Sequence, residues 1–196
     1  KAVIKKAVTK NSTCIDVGCH KGEIFDLFIN QSPNKSHYGF EPIPELYANL
    51  KSKYPKHHVF NYALANEEGE TTFQYVKNAP AYSGILKREY KVDNPEVEEL
   101  KVQLTKVDNI IPQSTKIDFI KIDVEGGEFN VIKGAKDLIV RDKPIIIFEF
   151  GLGASNFYGS TPNKLFDYLS AINYNASLLD KWLKKSPPLT KSEFKK

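Results

Sequence analysis

From residue 13 onward, short apolar runs alternate with segments of helical periodicity almost to the end of the chain. That alternation constrains the fold more than any other feature. Parallel neighbours need a crossover between them and a helix is the usual crossover, so the pattern predicts an α/β fold around a mainly parallel sheet. The first strand is expected around residues 13–17, with its helix over residues 23–30. "HYGFEP" reads as a second strand stopped by Pro42, and "PELYANLKSKY" as a helix with Leu46 and Leu50 on one face. "HHVFNYAL" is the third strand, "KIDFIKID" the fourth with the helix "EFNVIKGAK" behind it, and "KPIIIFEF" the fifth. Because the fifth is nearly all apolar, it is expected at the centre of the sheet, buried on both faces. "TPNKLFDYLSAINY" opens with Thr161 as N-cap and Pro162 at the first helical position. "YNASLLDKW" is read as a last strand.

The pattern changes once. "ETTFQYV" and "ELKVQLTKV" alternate with the two-residue period of half-exposed strands. A polar stretch, residues 77–99, separates them, so a β-pair carrying a lid is expected after the third strand. At 196 residues the chain suits one domain spanning residues 1–196, with its core over about residues 13–183. No apolar run is long enough to span a bilayer, and "KAVIKKAVTK" has no signal-peptide pattern. Cys14 and Cys19, the only two cysteines, are too few for a disulfide framework or a zinc site, and the expectation is a reduced, cytoplasmic protein. The sequence contains no methionine, even at its start, which suggests a trimmed chain. A net charge of +4 spread over scattered lysines fits a solvated surface better than a nucleic-acid groove.

Ligands of an open parallel α/β sheet bind beyond the carboxyl ends of its strands. There the sequence places Asp16, Gly18, Cys19, His20 and Gly22, then Glu41, then Asn61 and Ala63, then Asp123, Glu125 and Glu128, then Glu149. The loop lacks the G-x-G-x-x-G pattern of a dinucleotide site and the G-x-x-x-x-G-K-[ST] pattern of an ATP site. A D-x-G-x-x-x-G turn suits a ligand that needs backbone contact and carries no phosphate, such as S-adenosylmethionine. Its carboxylate would meet N–H groups at the helix start, and Glu41 would accept from both ribose hydroxyls. Some nucleotide enzymes share this pair of signals.

"IDVGCHKGEIFDLF", "FEPIPELYANLK", "NYALANEEGETTF", "LTKVDNIIP" and "IDFIKIDVEGGEFNVIKGA" follow one another in the order and spacing of FkbM-type methyltransferases, which this chain resembles over residues 13–150. One departure is Cys19-His20, where the family more often has Ala-Asn. The resemblance implies a Rossmann-like class I methyltransferase sandwich with helices on both faces of the sheet. It also implies an S-adenosylmethionine-dependent O-methyltransferase acting on a hydroxyl of a small molecule, sugar or glycan. A nucleic-acid methyltransferase and a non-catalytic binding module of the same fold are the alternatives.

Cofactor contacts are therefore expected at Asp16, Gly18, His20, Gly22, Glu41, Asn61 and Ala63. An alcohol is a poor nucleophile, so a base is needed, and Asp123 or Glu125 stands where it would act. Tyr82 and Ser83, in the expected lid, are candidate acceptor contacts. A divalent metal held by these carboxylates is possible but not favoured. Glu128 reads as a first-turn residue favoured by the helix dipole, and His37, His57 and His58 as structural or exposed.

Overall fold

The computed structural model describes residues 1–87, 90, 92–151 and 155–195. After a short opening helix, α1 (Ala2–Ala7), the chain forms β1 (Cys14–Val17), α2 (Glu23–Gln31), β2 (Tyr38–Phe40), α3 (Pro44–Lys53) and β3 (His58–Phe60). It then leaves the sheet and builds a smaller one from β4 (Ala63–Leu64), β5 (Gly69–Val76) and β6 (Val97–Thr105). A short α4 (Val107–Ile110) leads back to β7 (Phe119–Ile122), followed by α5 (Glu128–Gly134), α6 (Lys136–Asp142) and β8 (Ile145–Phe148). The last elements are α7 (Pro162–Ala171), α8 (Leu179–Leu183) and α9 (Lys191–Phe194).

The main sheet runs β3-β2-β1-β7-β8, with every pair parallel. All four residues of β1 are buried, because the strand has neighbours on both edges and helices on both faces. One face packs Ile15, Val17, Ile120 and Ile122 against Phe129, Ile132, Ile139 and Leu165 from α5, α6 and α7. The other packs Cys14 and Phe119 against Val3, Phe25, Phe28 and Leu50 from α1, α2 and α3. The fold is the expected α/β class, with a mostly parallel central sheet.

The period-two segments form the expected pair, an antiparallel ladder from Gly69↔Leu104 to Val76↔Val97. Residues 88, 89 and 91 of the expected lid lie outside the described residues; its first part folds into a 3₁₀ turn, Pro80–Tyr82. The third strand is split. Residues 58–60 stay in the main sheet, whereas Ala63 and Leu64 pair with β6. Asn61 makes the break by donating from Nδ2 to the carbonyls of Glu41 and Pro42, each at 2.9 Å.

Two expectations fail. "KPIIIFEF" is an edge strand, not a central one: among the described residues β8 pairs only with β7, and its four residues are half-buried. Its apolar run reflects cover on both faces, with Ile145 and Ile147 turned to one cluster and Ile146 and Phe148 to the other. "YNASLLDKW" contains α8 and no strand; Trp182 and Leu183 pack into the α1–α2 side of the core, while Leu178 and Leu179 are exposed. Helical spacing outweighs the short alternation there. The helix after the fourth strand ends at Gly134, where a Cβ would strike the Ala65 carbonyl, so glycine here serves close packing, and α6 starts two residues later.

His37 is fully buried and its ring stacks on His57. Its Nδ1 accepts from the Cys14 amide at 3.2 Å and its Nε2 lies 3.1 Å from the Ser32 carbonyl, a pairing that only the neutral ring satisfies. Burial lowers its pKa to about 4. A folded-state value below the unfolded one gives stability that is present above the unfolded pKa and lost as pH falls through the folded value. The stability gap between wild type and His37→Gln is therefore expected to narrow by on the order of 3 kcal/mol from pH 7 to pH 4, measured by denaturant titration. A constant gap would show that the ring does not titrate this way.

Candidate active site

The site is built by turns at the carboxyl ends of β1, β2 and β7. Gly18 adopts φ +75°, and its amide and that of Cys19 both donate to the Phe40 carbonyl, at 3.0 and 3.1 Å. The turn after β1 is thereby hooked onto the end of β2. Glu41 reinforces this hook. Its Oε2 accepts from the His20 amide at 2.8 Å and its Oε1 from the Ile43 amide at 3.0 Å. The residue is only 4% exposed, and burial pushes its carboxyl up to about 7 despite those two amides. After β7 the chain turns through Glu125 at φ 59° and Gly126 at φ 110°. Glu128 stabilises that turn, accepting from the amides of Val124 and Gly126 at 3.1 and 3.0 Å.

Between these turns lies a cleft with about 1040 Å³ of empty space, its open mouth included. Gly18, His20, Glu41 and Ala63 line it from one side, Asp123 and Glu125 from another, and Ser83 closes it from the second sheet. The remaining candidates lie outside the lining. Asp16 is fully buried beneath the cleft. Gly22 opens α2 at φ 86° and faces Tyr54, whose hydroxyl sits 3.1 Å from the Gly22 carbonyl. Asn61 is committed to the two carbonyls it pins. Tyr82 is half-buried and does not reach the lining, and the Ser83 hydroxyl accepts from the Val76 amide at 3.0 Å. Glu149 is exposed, away from the cleft.

Reading strand ends misses part of the wall. Ile43, Leu46, Tyr62, Phe73 and Ile85 supply its apolar surface, and nothing in their local pattern separates them from core residues. Lys121 also lines the cleft, and it carried a signal: a lysine inside an otherwise apolar buried strand needs a partner. The lining is otherwise acidic, with Glu23, Glu41, Asp123 and Glu125 against that one lysine. Cys19 takes no chemical part; burial holds its thiol well above the ordinary range, and Sγ donates to the Asp16 carbonyl at 3.2 Å. Among the described residues, no group of three or more His, Cys, Asp or Glu side chains is placed to hold a metal ion. None of the helices there is long and apolar enough to cross a membrane.

A parallel sheet with a glycine turn and a buried carboxylate over its carboxyl edge defines an open α/β domain of the kind that binds its ligand beyond the strand ends. The chain belongs to the FkbM methyltransferase family, whose model, the Methyltransferase FkbM domain, matches residues 16–176. It is similar to a crystal structure of methyltransferase FkbM from Methylobacillus flagellatus, with a TM-score of 0.57 and 18% identity, over 84% of this chain and 38% of that one. It is also similar to a TehB-like SAM-dependent methyltransferase from Corynebacterium glutamicum, with a TM-score of 0.51 and 12% identity, over 98% of this chain and 80% of that one. The AMB antimetabolite synthetase AmbE of Pseudomonas aeruginosa is 26% identical over an alignment 177 residues long that covers 71% of this chain and 8% of that protein. The chain thus spans well under half of the FkbM structure and a small part of AmbE.

Proposed function

We propose that this domain transfers a methyl group from S-adenosylmethionine to a hydroxyl of a small molecule or sugar. The observation that carries this reading is the charge of the cleft: Glu41 and, after β7, Asp123 and Glu125 follow parallel strands, Glu23 opens α2, and Lys121 is the one lysine of the lining. Such a lining attracts a cation and repels the pyrophosphate of a dinucleotide. When bound, the cofactor supplies an electrophilic methyl on a sulfonium. Glu41 would hold the ribose through acceptor capacity that its two amide bonds leave unused, since a carboxylate offers about four lone-pair sites. Phe40, Ile43, Leu46, Ala63 and Leu64 offer the apolar wall an adenine needs.

Asp123 and Glu125 face the cleft from the turn after β7, where an acceptor would approach. In this reading an Asp123 carboxylate oxygen takes the proton of the acceptor hydroxyl while Glu125 helps to orient it. Ser83, Pro80, Ala81 and Ile85 close the acceptor side and restrict water there. The similarity to a segment of an antimetabolite synthetase supports a small-molecule acceptor over a nucleic acid.

Tritiated S-adenosylmethionine offered with monosaccharides, nucleotide sugars, small polyhydroxylated metabolites, RNA and DNA tests this function. Label is expected only in a hydroxylated small molecule or sugar, and label in RNA or DNA would overturn the assignment. Asp123→Asn is expected to keep cofactor affinity within about threefold while lowering transfer by on the order of 10²- to 10⁴-fold, the usual worth of a positioned base. An unchanged transfer rate would remove Asp123 from the chemistry.

A further inference from the structure

Asp16 and Lys121 stand directly opposite each other where β1 pairs with β7. The row continues with Gly39 on the far side of Asp16 and Ile147 beyond Lys121. Gly39 leaves the space that Cys19 Sγ fills, since a Cβ there would lie 2.8 Å from the sulfur. Asp16 is thereby sealed at 0% exposure. Neither of its carboxylate oxygens has a hydrogen bond among the described residues, and its close charged neighbour is Lys121 Nζ, 3.1 Å from Oδ1.

The same ammonium donates to the carbonyls of Gly18 at 2.7 Å and Val17 at 3.2 Å. Those two bonds use two of its three hydrogens, and its charge is paired with Asp16. Asp123 lies farther away, at 3.8 Å. Lys121 thus borders the cleft while held by the turn after β1, and Asp16 is not part of the lining.

We propose that Asp16 and Lys121 act as a buried positioning pair that holds the turn at Gly18 in its cofactor-binding shape, without either side chain touching the cofactor. Lys121 pins the two carbonyls that set the turn, and Asp16 is the counter-ion that keeps the ammonium in place. Separating the partners leaves an unpaired buried charge, which is why the pair acts as a unit. The charged and titratable groups acting on Asp16 are Lys121, Asp123, Cys19, Cys14 and Glu41. Of these, Lys121 is the one cation. Phe25 and Phe28 pack on this face, with the titratable side chains of Tyr54, His37 and His57 against them.

The binding part of the test rests on the S-adenosylmethionine reading above; the exchange part does not. Lys121→Met, Asp16→Asn and the double variant are compared by amide hydrogen exchange at residues 18–22 and by calorimetric titration with S-adenosylmethionine. Each single variant is expected to speed exchange of the Gly18 and Cys19 amides and to weaken cofactor binding by about tenfold or more, with the double no weaker than Lys121→Met. The pH at which affinity falls is a further readout. It is expected to rise in Lys121→Met and return in the double variant, because Lys121 lowers and Asp16 raises the titration of Glu41. A role confined to fold stability would leave the affinity of the folded protein, and exchange at residues 18–22 relative to the rest of the sheet, unchanged.

A full additional loss on adding Asp16→Asn to Lys121→Met would mean that Asp16 touches the cofactor, and would overturn the proposal. Unchanged exchange in both single variants would overturn it too, even if the wild type bound no S-adenosylmethionine. Should Lys121→Met not fold, Lys121→Gln keeps two N–H donors and gives the same comparison.

Discussion

Glu41→Ala is expected to weaken S-adenosylmethionine binding by on the order of 10²- to 10⁴-fold, since two hydrogen bonds from ribose hydroxyls to a charged acceptor are lost at about 1.5–3 kcal/mol each. Loss of the carboxylate also strips the His20 and Ile43 amides of their acceptors. Wild-type affinity should itself depend on pH. Burial holds the Glu41 carboxyl at about 7, so protonation below that value removes the charged acceptor and the dissociation constant rises as pH falls. The same burial acts on folding with the opposite sense. A carboxyl whose folded value lies above its unfolded one stabilises the fold at low pH, and that contribution is lost as pH rises through 7. Glu41→Gln is accordingly expected to lose affinity while matching wild-type stability to within about 2 kcal/mol at pH 8. Calorimetric titration from pH 5.5 to 8.5, with denaturant melts of both variants, checks the three statements. A dissociation constant that does not respond to pH would show that Glu41 is not the ribose acceptor.

Gly18→Ala is the second large effect. Gly18 sits at φ +75°, in the left-handed region where a side chain costs about 1–3 kcal/mol. Strain is the smaller part. A Cβ there would run into the backbone carbonyl of Asp123, which is itself tied down because the Asp123 amide donates to the Val17 carbonyl at 3.1 Å. Backbone cannot rotate away as a flexible side chain can, so the turn after β1 must lift off the end of β7. Both walls of the cleft would be displaced. The expected result is a loss of at least about 2 kcal/mol in stability and no measurable cofactor binding. Denaturant melts and titration of the variant check this; wild-type affinity in Gly18→Ala would mean that the turn does not shape the site.

Much of the architecture could be read from local pattern. The order of strands and helices through β3, the antiparallel pair, and the Thr161–Pro162 start of α7 follow from periodicity, turn residues and capping chemistry, which act over a few neighbouring residues. The approximate place of the site was legible for the same reason, since polar residues ending apolar strands mark the carboxyl edge. Membership of strand ends in a site did not settle which of them face the cleft. Asp16 and Asn61 stand at strand ends as Glu41 and Ala63 do, yet the first is sealed under the turn and the second is spent on two carbonyls.

By itself the sequence determined the α/β class, the glycine turn, and the acidic residues available to a methyl-transfer site, because each is written in the spacing of nearby residue types. Only the tertiary structure decided that β8 lies at the edge, that residues 179–183 form a helix, and that Lys121 is spoken for by Asp16, Val17 and Gly18. The physical reason is distance along the chain. Lys121 and Asp16 are over a hundred positions apart and become neighbours only through the β1–β7 register, and no local propensity encodes which strand will lie beside which.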